Sequence, residues 1–410
     1  MKLLFLLQDL PYPPSNGYRQ KIYNLLNHVA QHHDCDLLVF GTPADQSVAQ
    51  PWLDQIPRLR VLGVFSPDRV PFLRVRQFLQ FVSSFKSPVW LRFRSEGFRN
   101  AIRNAMAGTH YDVVHLDLQG MAQYCSILGS TKRVLSLNDA MSATLFDAAA
   151  NRHAPLLSRI SWFLQAWHQL GVDKSLFSLA DAVHFVGKYD LEWCEKNLKV
   201  RNGVYIPLAV DPVFLNNRPQ ERHDAGVIRL LIIDKLWAPQ HLNAVKEFLM
   251  EHWSEIHSRH PGTELTIIGG KGMPAEFVEY VKSIPGLRLY DWVERLEETL
   301  DKADIAIFPY AVAVGMKTRV LQCMASRAAV IGTRNAFLGL PVENKKNVYE
   351  AEDMDAMARG VEYLLTAPSL RTQIAQSARV VIEENFTQDI IGTAWERLYS
   401  NVSRGDNFIT

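Results

Sequence analysis

The sequence predicts an α/β protein made of two doubly wound, parallel-sheet domains. Two separate series of short apolar strands alternate with helical segments, and strands that alternate with helices imply parallel sheets. Between the two series lies a stretch without periodicity that carries Pro212, Pro219 and the charged run from Gln220 to Asp224. A chain of 410 residues, 48% of them hydrophobic, is also long enough to bury two cores.

The elements follow in order. Met1 to Leu7 is apolar enough to suggest a leader. It stops at Gln8-Asp9 with no small-residue cleavage site after it, so Leu3–Leu7 is expected as the first buried strand. Asp36–Phe40, Val61–Val64, Val113–Leu116, Val134–Leu137 and Ala182–Val186 continue the first series. A helix is expected from about Tyr18 to Gln31 and a long one from about Ser158 to Ser178. After a turn at Asn202-Gly203, Val204 to Pro207 makes a last short strand and closes a first domain over 1–208. Residues 209–227 are expected as a linker. A second domain over 228–386 starts with Ile228–Ile233 and runs through Leu265–Ile268, Leu287–Tyr290, Ile305–Phe308 and Ala329–Ile331. Helices then cover roughly 353 to 401.

Composition narrows the function classes. A net charge of +1 gives no support for nucleic acid as a principal partner. No run approaches the roughly 18 apolar residues that span a bilayer. Cys35, Cys125, Cys194 and Cys323 lie far apart with no Cys-x-x-Cys, which fits reduced core thiols in a cytoplasmic protein and no metal site.

The most informative window is 315–325. Gly315 opens a helix in which Lys317 and Arg319 precede an apolar face of Val320, Leu321 and Met324, and the strand Ile305–Phe308 lies just upstream. A strand, a glycine loop and a helix start form an anion site. The exposed N–H groups and the positive end of the helix dipole favour phosphate, and the two cations add charge and hydrogen bonds. The alternative is a solvated first turn. Two doubly wound domains would place a cleft between them at the C-terminal strand ends, where such sheets bind ligands. The loops that fall there hold Gly17, Asp117 and Asn138-Asp139 in the first half, and Lys235, Gly269-Gly270 and Gly315 in the second.

Taken in order, these motifs resemble the family 4 glycosyltransferases, GT-B enzymes that use nucleotide-activated sugars. Asp304 to Pro309, Gly315, Arg319-Val-Leu-Gln322, Met324-Ala325, Val330 to Thr333 and Gly339-Leu340 are similar to the family's donor-site region. Pro11 to Gly17 resembles its first glycine-bearing loop. Trp237 to Asn243 and Ile268-Gly-Gly270 resemble strand ends of its C-terminal domain. The resemblance covers nearly the whole chain. It implies a retaining glycosyltransferase that moves a sugar from a nucleoside-diphosphate sugar to a hydroxyl acceptor (a glycan, a lipid-linked or a small-molecule one) in glycan, polysaccharide or glycoconjugate synthesis. No cluster of Asp, Glu and His with ligand spacing stands at the strand ends, and Arg319, Lys317 and the helix start can carry the neutralising charge, so the diphosphate is expected to be held without a bound metal. The resemblance also implies that a final helix, about 387–401, returns to the first domain.

Residue roles follow from the resemblance. Arg319 matches the diphosphate-binding cation, with Lys317 and Lys235 as further candidates. Gly17, Gly270, Gly315, Val320 and Leu321 belong to donor-site motifs. Gln322 stands where the family has a glutamate that accepts from the ribose hydroxyls, and Val293 where a backbone group meets the base. Asp117, Asn138 and Asp139 are the candidates near the reacting sugar. Asp117 can equally cap the segment from Gln119 onwards, and His115 is expected as a satisfied core histidine. The family's Glu-x7-Glu pair is replaced by Val314 and Gln322, so both of its carboxylates are missing.

On the acceptor side only 69–103 stands out. Eight Arg or Lys residues, against Glu96 alone, are interleaved with Phe72, Phe78, Phe81, Phe85, Trp90, Phe93 and Phe98. This is either a peripheral contact with the inner face of an anionic membrane, toward a lipid-linked acceptor, or a solvated face over core aromatics. Two other functions stay open. One is a catalytically weak GT-B homologue that acts as a partner protein. The other is a dinucleotide-dependent oxidoreductase, against which the absence of Gly-x-Gly-x-x-Gly spacing counts.

Overall fold

Alternation of buried side chains along each strand builds a two-faced sheet in each half of the chain. The computed structural model describes residues 1–83, 87–150, 155–216, 226–236, 238–310 and 317–406. The chain divides into two compact units, Met1–Ala209 with Gln388–Thr410, and Val210–Thr387.

The first unit holds a seven-stranded parallel sheet in the order β3-β2-β1-β4-β5-β6-β7. Its strands are β1 (Lys2–Leu7), β2 (Asp34–Phe40), β3 (Leu59–Phe65), β4 (Val113–Asp117), β5 (Lys132–Leu137), β6 (Ala182–Phe185) and β7 (Gly203–Tyr205). One face, with Leu3, Phe5, Leu37 and Val39, packs on Ile22, Leu25 and Leu26 of helix Gly17–Val29 and on Trp395, Leu398 and Tyr399 of helix Gln388–Arg404. The other face, with Leu4, Leu6, Leu38, Leu116 and Leu135, packs on Phe98 and Ile102 of helix Glu96–Gly108 and on Val172 and Leu176 of helix Leu156–Phe177.

The second unit repeats the design with six parallel strands in the order β10-β9-β8-β11-β12-β13. They are β8 (Ile228–Ile233), β9 (Thr263–Ile268), β10 (Leu287–Tyr290), β11 (Ile305–Phe308), β12 (Ala329–Thr333) and β13 (Tyr349–Ala351). Leu230 and Ile232 pack on one helical layer with Phe248 and Val361. Leu231 and Ile233 pack on the other with Val320, Met324 and Ile382. All four cysteines are buried and unbonded. Among the described residues, no helix is long and apolar enough to cross a membrane.

The structure corrects the extent of the linker. Val210 and Phe214 are buried in the apolar cluster of the second unit, and the Val210 N–H donates to the Phe386 carbonyl at 2.8 Å. Arg379 donates to the carbonyls of Phe214 (3.2 Å) and Leu215 (2.6 Å). A 3₁₀ turn, Pro212–Phe214, has no helix or strand period to read, which is why a packed segment resembles a linker in the sequence. Residues 217–225 of that stretch lie outside the described residues.

Candidate functional site

In each sheet the strand order reverses once, between β1 and β4 and between β8 and β11. Open α/β sheets bind ligands at the C-terminal ends of the strands at such a point, and both of these places carry clusters of polar side chains.

In the second unit, β8 ends at Asp234-Lys235 and β11 at Pro309-Tyr310. The Asp234 carboxylate accepts from the Lys235 backbone N–H at 2.7 Å, and its other oxygen lies 2.5 Å from Nδ1 of His241, on helix Pro239–Phe248. The His241 ring meets Tyr310 edge-on, with centroids 5.5 Å apart. Burial and the neighbouring Asp234 push the Tyr310 phenol well above its ordinary pKa, so it stays neutral. Lys317 is buried rather than solvated, and its ammonium lies over the Tyr310 ring, 4.9 Å from the centroid.

Helix Thr318–Ala325 begins directly after Lys317, and among the described residues no side chain caps its N-terminus. Geometry leaves the first-turn N–H groups of Thr318, Arg319 and Val320 without an intrahelical acceptor, so their dipole end can receive an anion. Arg319 is exposed beside them and donates to Oε1 of the buried Gln322 at 2.8 Å, which fixes the direction of its guanidinium. Thr333 anchors the loop after β11 by donating to the Tyr310 carbonyl at 2.6 Å. Gly269 holds φ +113°, where a β-carbon would run into the Asp234 carbonyl oxygen, so the chain can pass beside β8 only as glycine.

These positions refine the expected donor set. Arg319, Lys317 and Gln322 do meet at one helix start, while Lys235 stands exposed at the end of β8. Gly270 is buried, and Val293 packs against the apolar cluster. The side chains of Val320 and Leu321 are core and the Leu321 N–H is used by the Lys317 carbonyl, so of these two residues Val320 alone offers a ligand its backbone N–H. Gly315, Val314 and Trp237 lie outside the described residues. His241, Tyr310 and Asp234 carry no role in the sequence reading. The available signal was that His241 stands inside the Trp237-to-Asn243 motif, seven residues after an acid at the end of a strand.

In the first unit, Asp117 ends β4 fully buried, so it neither caps the next segment nor faces open solvent. This corrects the reading of it as a cap for the segment from Gln119 onwards. The residue it needs, absent from the expected set, is Lys21 on helix Gly17–Val29. The buried Lys21 ammonium donates to Asp117 (2.8 Å), Ser136 (3.0 Å) and Asn138 (3.0 Å). Burial raises the Asp117 carboxyl, but Lys21 and His115 more than offset this and hold it at about 2. Ser136 also bonds Nδ1 of His184 at 3.0 Å, and Nε2 of His184 donates to the Ile206 carbonyl at 2.8 Å, which assigns its tautomer. His115 is a core histidine as expected but is only half satisfied: Nδ1 bonds the Tyr399 hydroxyl at 2.8 Å, while the buried Nε2 lies 3.6 Å from Asp117 without a hydrogen bond. Asn138 and Asp139 are half-buried at the end of β5. Gly17 is the first residue of its helix and is exposed. It lines a shallow depression with Gln20, Lys21, Asn24 and Gln388.

This network fixes a pH response. Burial and then Lys21 lower the His184 imidazole to about 3, against 6.5 when unfolded. Its stabilising contribution is therefore full above pH 6.5 and is lost as pH falls toward 3. The Asp117 contribution is lost only between 3.8 and about 2. Unfolding free energy should drop by on the order of 2 kcal/mol between pH 7.5 and pH 5 from His184 alone. His184→Gln should flatten that limb in chemical denaturation, and an unchanged slope in the variant would contradict the assignment.

Comparison with known proteins places these sites in context. Residues 231–367 match the family described as Glycosyl transferases group 1. That stretch contains Asp234, His241, Tyr310, Lys317, Arg319 and Gln322. No curated protein matches the chain in sequence. Among solved structures, Anabaena HepE in complex with UDP is similar at 12% identity and a TM-score of 0.68, covering 98% of this chain and 100% of its own. Sucrose-phosphate synthase from Thermosynechococcus elongatus gives 13%, 0.72, 99% and 100%. The UDP-forming α,α-trehalose-phosphate synthase from Burkholderia vietnamiensis gives 10%, 0.59, 98% and 100%. At these identities the likeness shows the fold, two Rossmann-like domains of the GT-B type.

Proposed function

We propose that this chain is a glycosyltransferase of the family 4, retaining type, which moves a sugar from a nucleoside-diphosphate sugar to a hydroxyl acceptor in glycan or glycoconjugate synthesis. The observation that carries the reading is the uncapped start of helix Thr318–Ala325, with Arg319 and the buried Lys317 beside it, at the reversal point of a sheet inside the matched stretch. Departure of a nucleoside diphosphate builds negative charge on the bridging oxygen. Fixed N–H groups and cations there stabilise that charge more in the transition state than in the ground state. Arg319 and Lys317 supply the neutralising charge in this reading, so the diphosphate is held without a metal. Gln322 orients Arg319 and stands where the ribose hydroxyls would be met. UDP is the first nucleotide to try, because HepE is described in complex with UDP and the trehalose-phosphate synthase as UDP-forming.

Incubating the protein with UDP-glucose and following UDP release tests the reading. Turnover that persists in EDTA, with the donor's anomeric configuration retained by NMR, is the expected result. Turnover abolished by EDTA and restored by magnesium would refute the metal-free site, and an inverted anomer would refute retention. No release with any nucleotide sugar, while the chain still binds UDP, would favour the catalytically weak homologue suggested by Val314 and Gln322. The acceptor is proposed to be lipid-linked, supported by the basic segment 69–103. Phe98 of that segment is core and Trp90 and Phe93 are half-buried, but Phe72 is 81% exposed beside exposed Arg69, Arg74 and Arg76.

A further inference from the structure

The N-terminal half of helix Leu156–Phe177 rests one side on helix Met141–Ala150, where Arg159 donates to the Ala149 carbonyl at 2.9 Å. Its other side turns Leu156, Leu157, Ile160, Phe163, Leu164 and Trp167 to solvent, with Leu157 at 82% and Trp167 at 59% exposure. At 100° per residue these six positions form one continuous arc of about 120°, running roughly 16 Å along the helix. Monomeric surfaces seldom leave so much apolar area together, so the stripe marks a contact. Its pattern says with what. Leu156, Ile160, Phe163 and Trp167 recur at a 4-3-4 spacing, the seam by which one helix packs on another, and Leu157 and Leu164 adjoin it. The spacing is also palindromic about the midpoint between Ser161 and Trp162.

We propose that the occupant is the same helix of a second copy, paired antiparallel about a two-fold axis at that midpoint. Such an axis sets each Trp167 ring against Leu156 and each Phe163 ring against Ile160, a large side chain facing a smaller one at every level. Charge agrees with a self-contact. The exposed polar side chains of this half are Ser161 and Gln165, bonded to each other at 3.0 Å, so pairing brings no like charges together. A helix lying on an anionic lipid surface would instead carry Lys or Arg along its polar face. Area agrees as well. At these exposures the six side chains offer roughly 600 Å² per copy, so the pair buries on the order of 1,200 Å² before its rim is counted, the lower bound of a stable interface. The inference does not depend on the donor site, whose residues belong to the other unit.

Sedimentation velocity of the full chain tests it. Between about 0.5 and about 100 µM the wild type should pass from monomer to dimer, with a dissociation constant on the order of 10 µM. Leu157→Glu with Leu164→Glu should raise that constant at least about a hundredfold, since apolar contacts are lost from both copies and carboxylates would be buried. Both side chains are exposed, so the melting temperature of this variant at the dilute end should match the wild type. Cysteine pairing reads the register, because the native cysteines are buried. Leu156→Cys and Trp167→Cys chains mixed under an oxidant should crosslink. Either alone should not, because like positions in the antiparallel pair stand roughly 16 Å apart. A wild type that stays monomeric at the concentrated end would overturn the proposal, as would a dimer that the glutamate variant leaves intact. Either cysteine variant crosslinking with itself would overturn the antiparallel register. A monomeric wild type that sediments with phosphatidylglycerol vesicles, and loses this in the glutamate variant, would assign the stripe to lipid and overturn it too. A dimer formed by a protein unable to bind UDP would leave this inference standing and count only against the glycosyltransferase reading.

Discussion

Asp117→Ala should destabilise the protein by about 3–5 kcal/mol, measured as a shift of the urea unfolding midpoint at constant slope. The cost arises because the substitution leaves the Lys21 ammonium, buried with its carboxylate partner, facing only the neutral oxygens of Ser136 and Asn138. A buried charge without a counter-ion is far more costly than the pair itself is stabilising. Lys21→Met should be costly for the mirror reason, leaving the Asp117 carboxylate with no cation, only the Tyr18 phenol and the neutral His115 imidazole, 3.6 Å from its oxygen. Removing both charges together, as Lys21→Met with Asp117→Leu, should recover much of the loss, because an apolar pair of similar volume carries no desolvation penalty. A single substitution costing less than about 1 kcal/mol, or a double variant no better than the worse single, would mean that the pair does not act as one unit.

Arg319→Ala should lower kcat/KM by about 2–4 kcal/mol in transition-state terms, the scale of losing one oxyanion donor. Its melting temperature should barely move, since Arg319 is exposed and its one contact described here is with Gln322. Gln322→Glu acts on the same pair differently. A carboxylate would hold Arg319 by a charge-assisted bond and would also accept from a ribose hydroxyl, so nucleotide affinity should change by about 1 kcal/mol while the acceptor KM stays the same. Equal kinetics for Arg319→Ala and wild type would remove this arginine from the donor site.

The two sites differ in how much of them the sequence shows. Lys317, Arg319 and Gln322 fall within six residues on one helix start, so local spacing alone brings them together. The strands are equally legible, because their apolar runs are short, bounded and alternate with helices, except β13, which is missed because its three residues Tyr349-Glu350-Ala351 carry no apolar run. Lys21 and Asp117 are 96 residues apart and meet only because β4 crosses to lie beside β1. No local pattern encodes that pairing, and a lysine in an amphipathic helix ordinarily indicates a solvated face. Helix Leu156–Phe177 shows the converse limit. Its existence follows from periodicity, but periodicity cannot tell an apolar stripe that finds a core from one that stays in water. Val210 and Phe214 show a third, since burial in a 3₁₀ turn leaves no period to detect.

Calorimetric titration of UDP into the wild type and into Arg319→Ala tests the central claim most directly. The wild type should bind one equivalent with favourable enthalpy, and the variant should bind at least about tenfold more weakly, as expected when a charged hydrogen-bond donor to phosphate is lost. Wild-type binding that Arg319→Ala leaves unchanged would show that the diphosphate does not sit at the start of helix Thr318–Ala325.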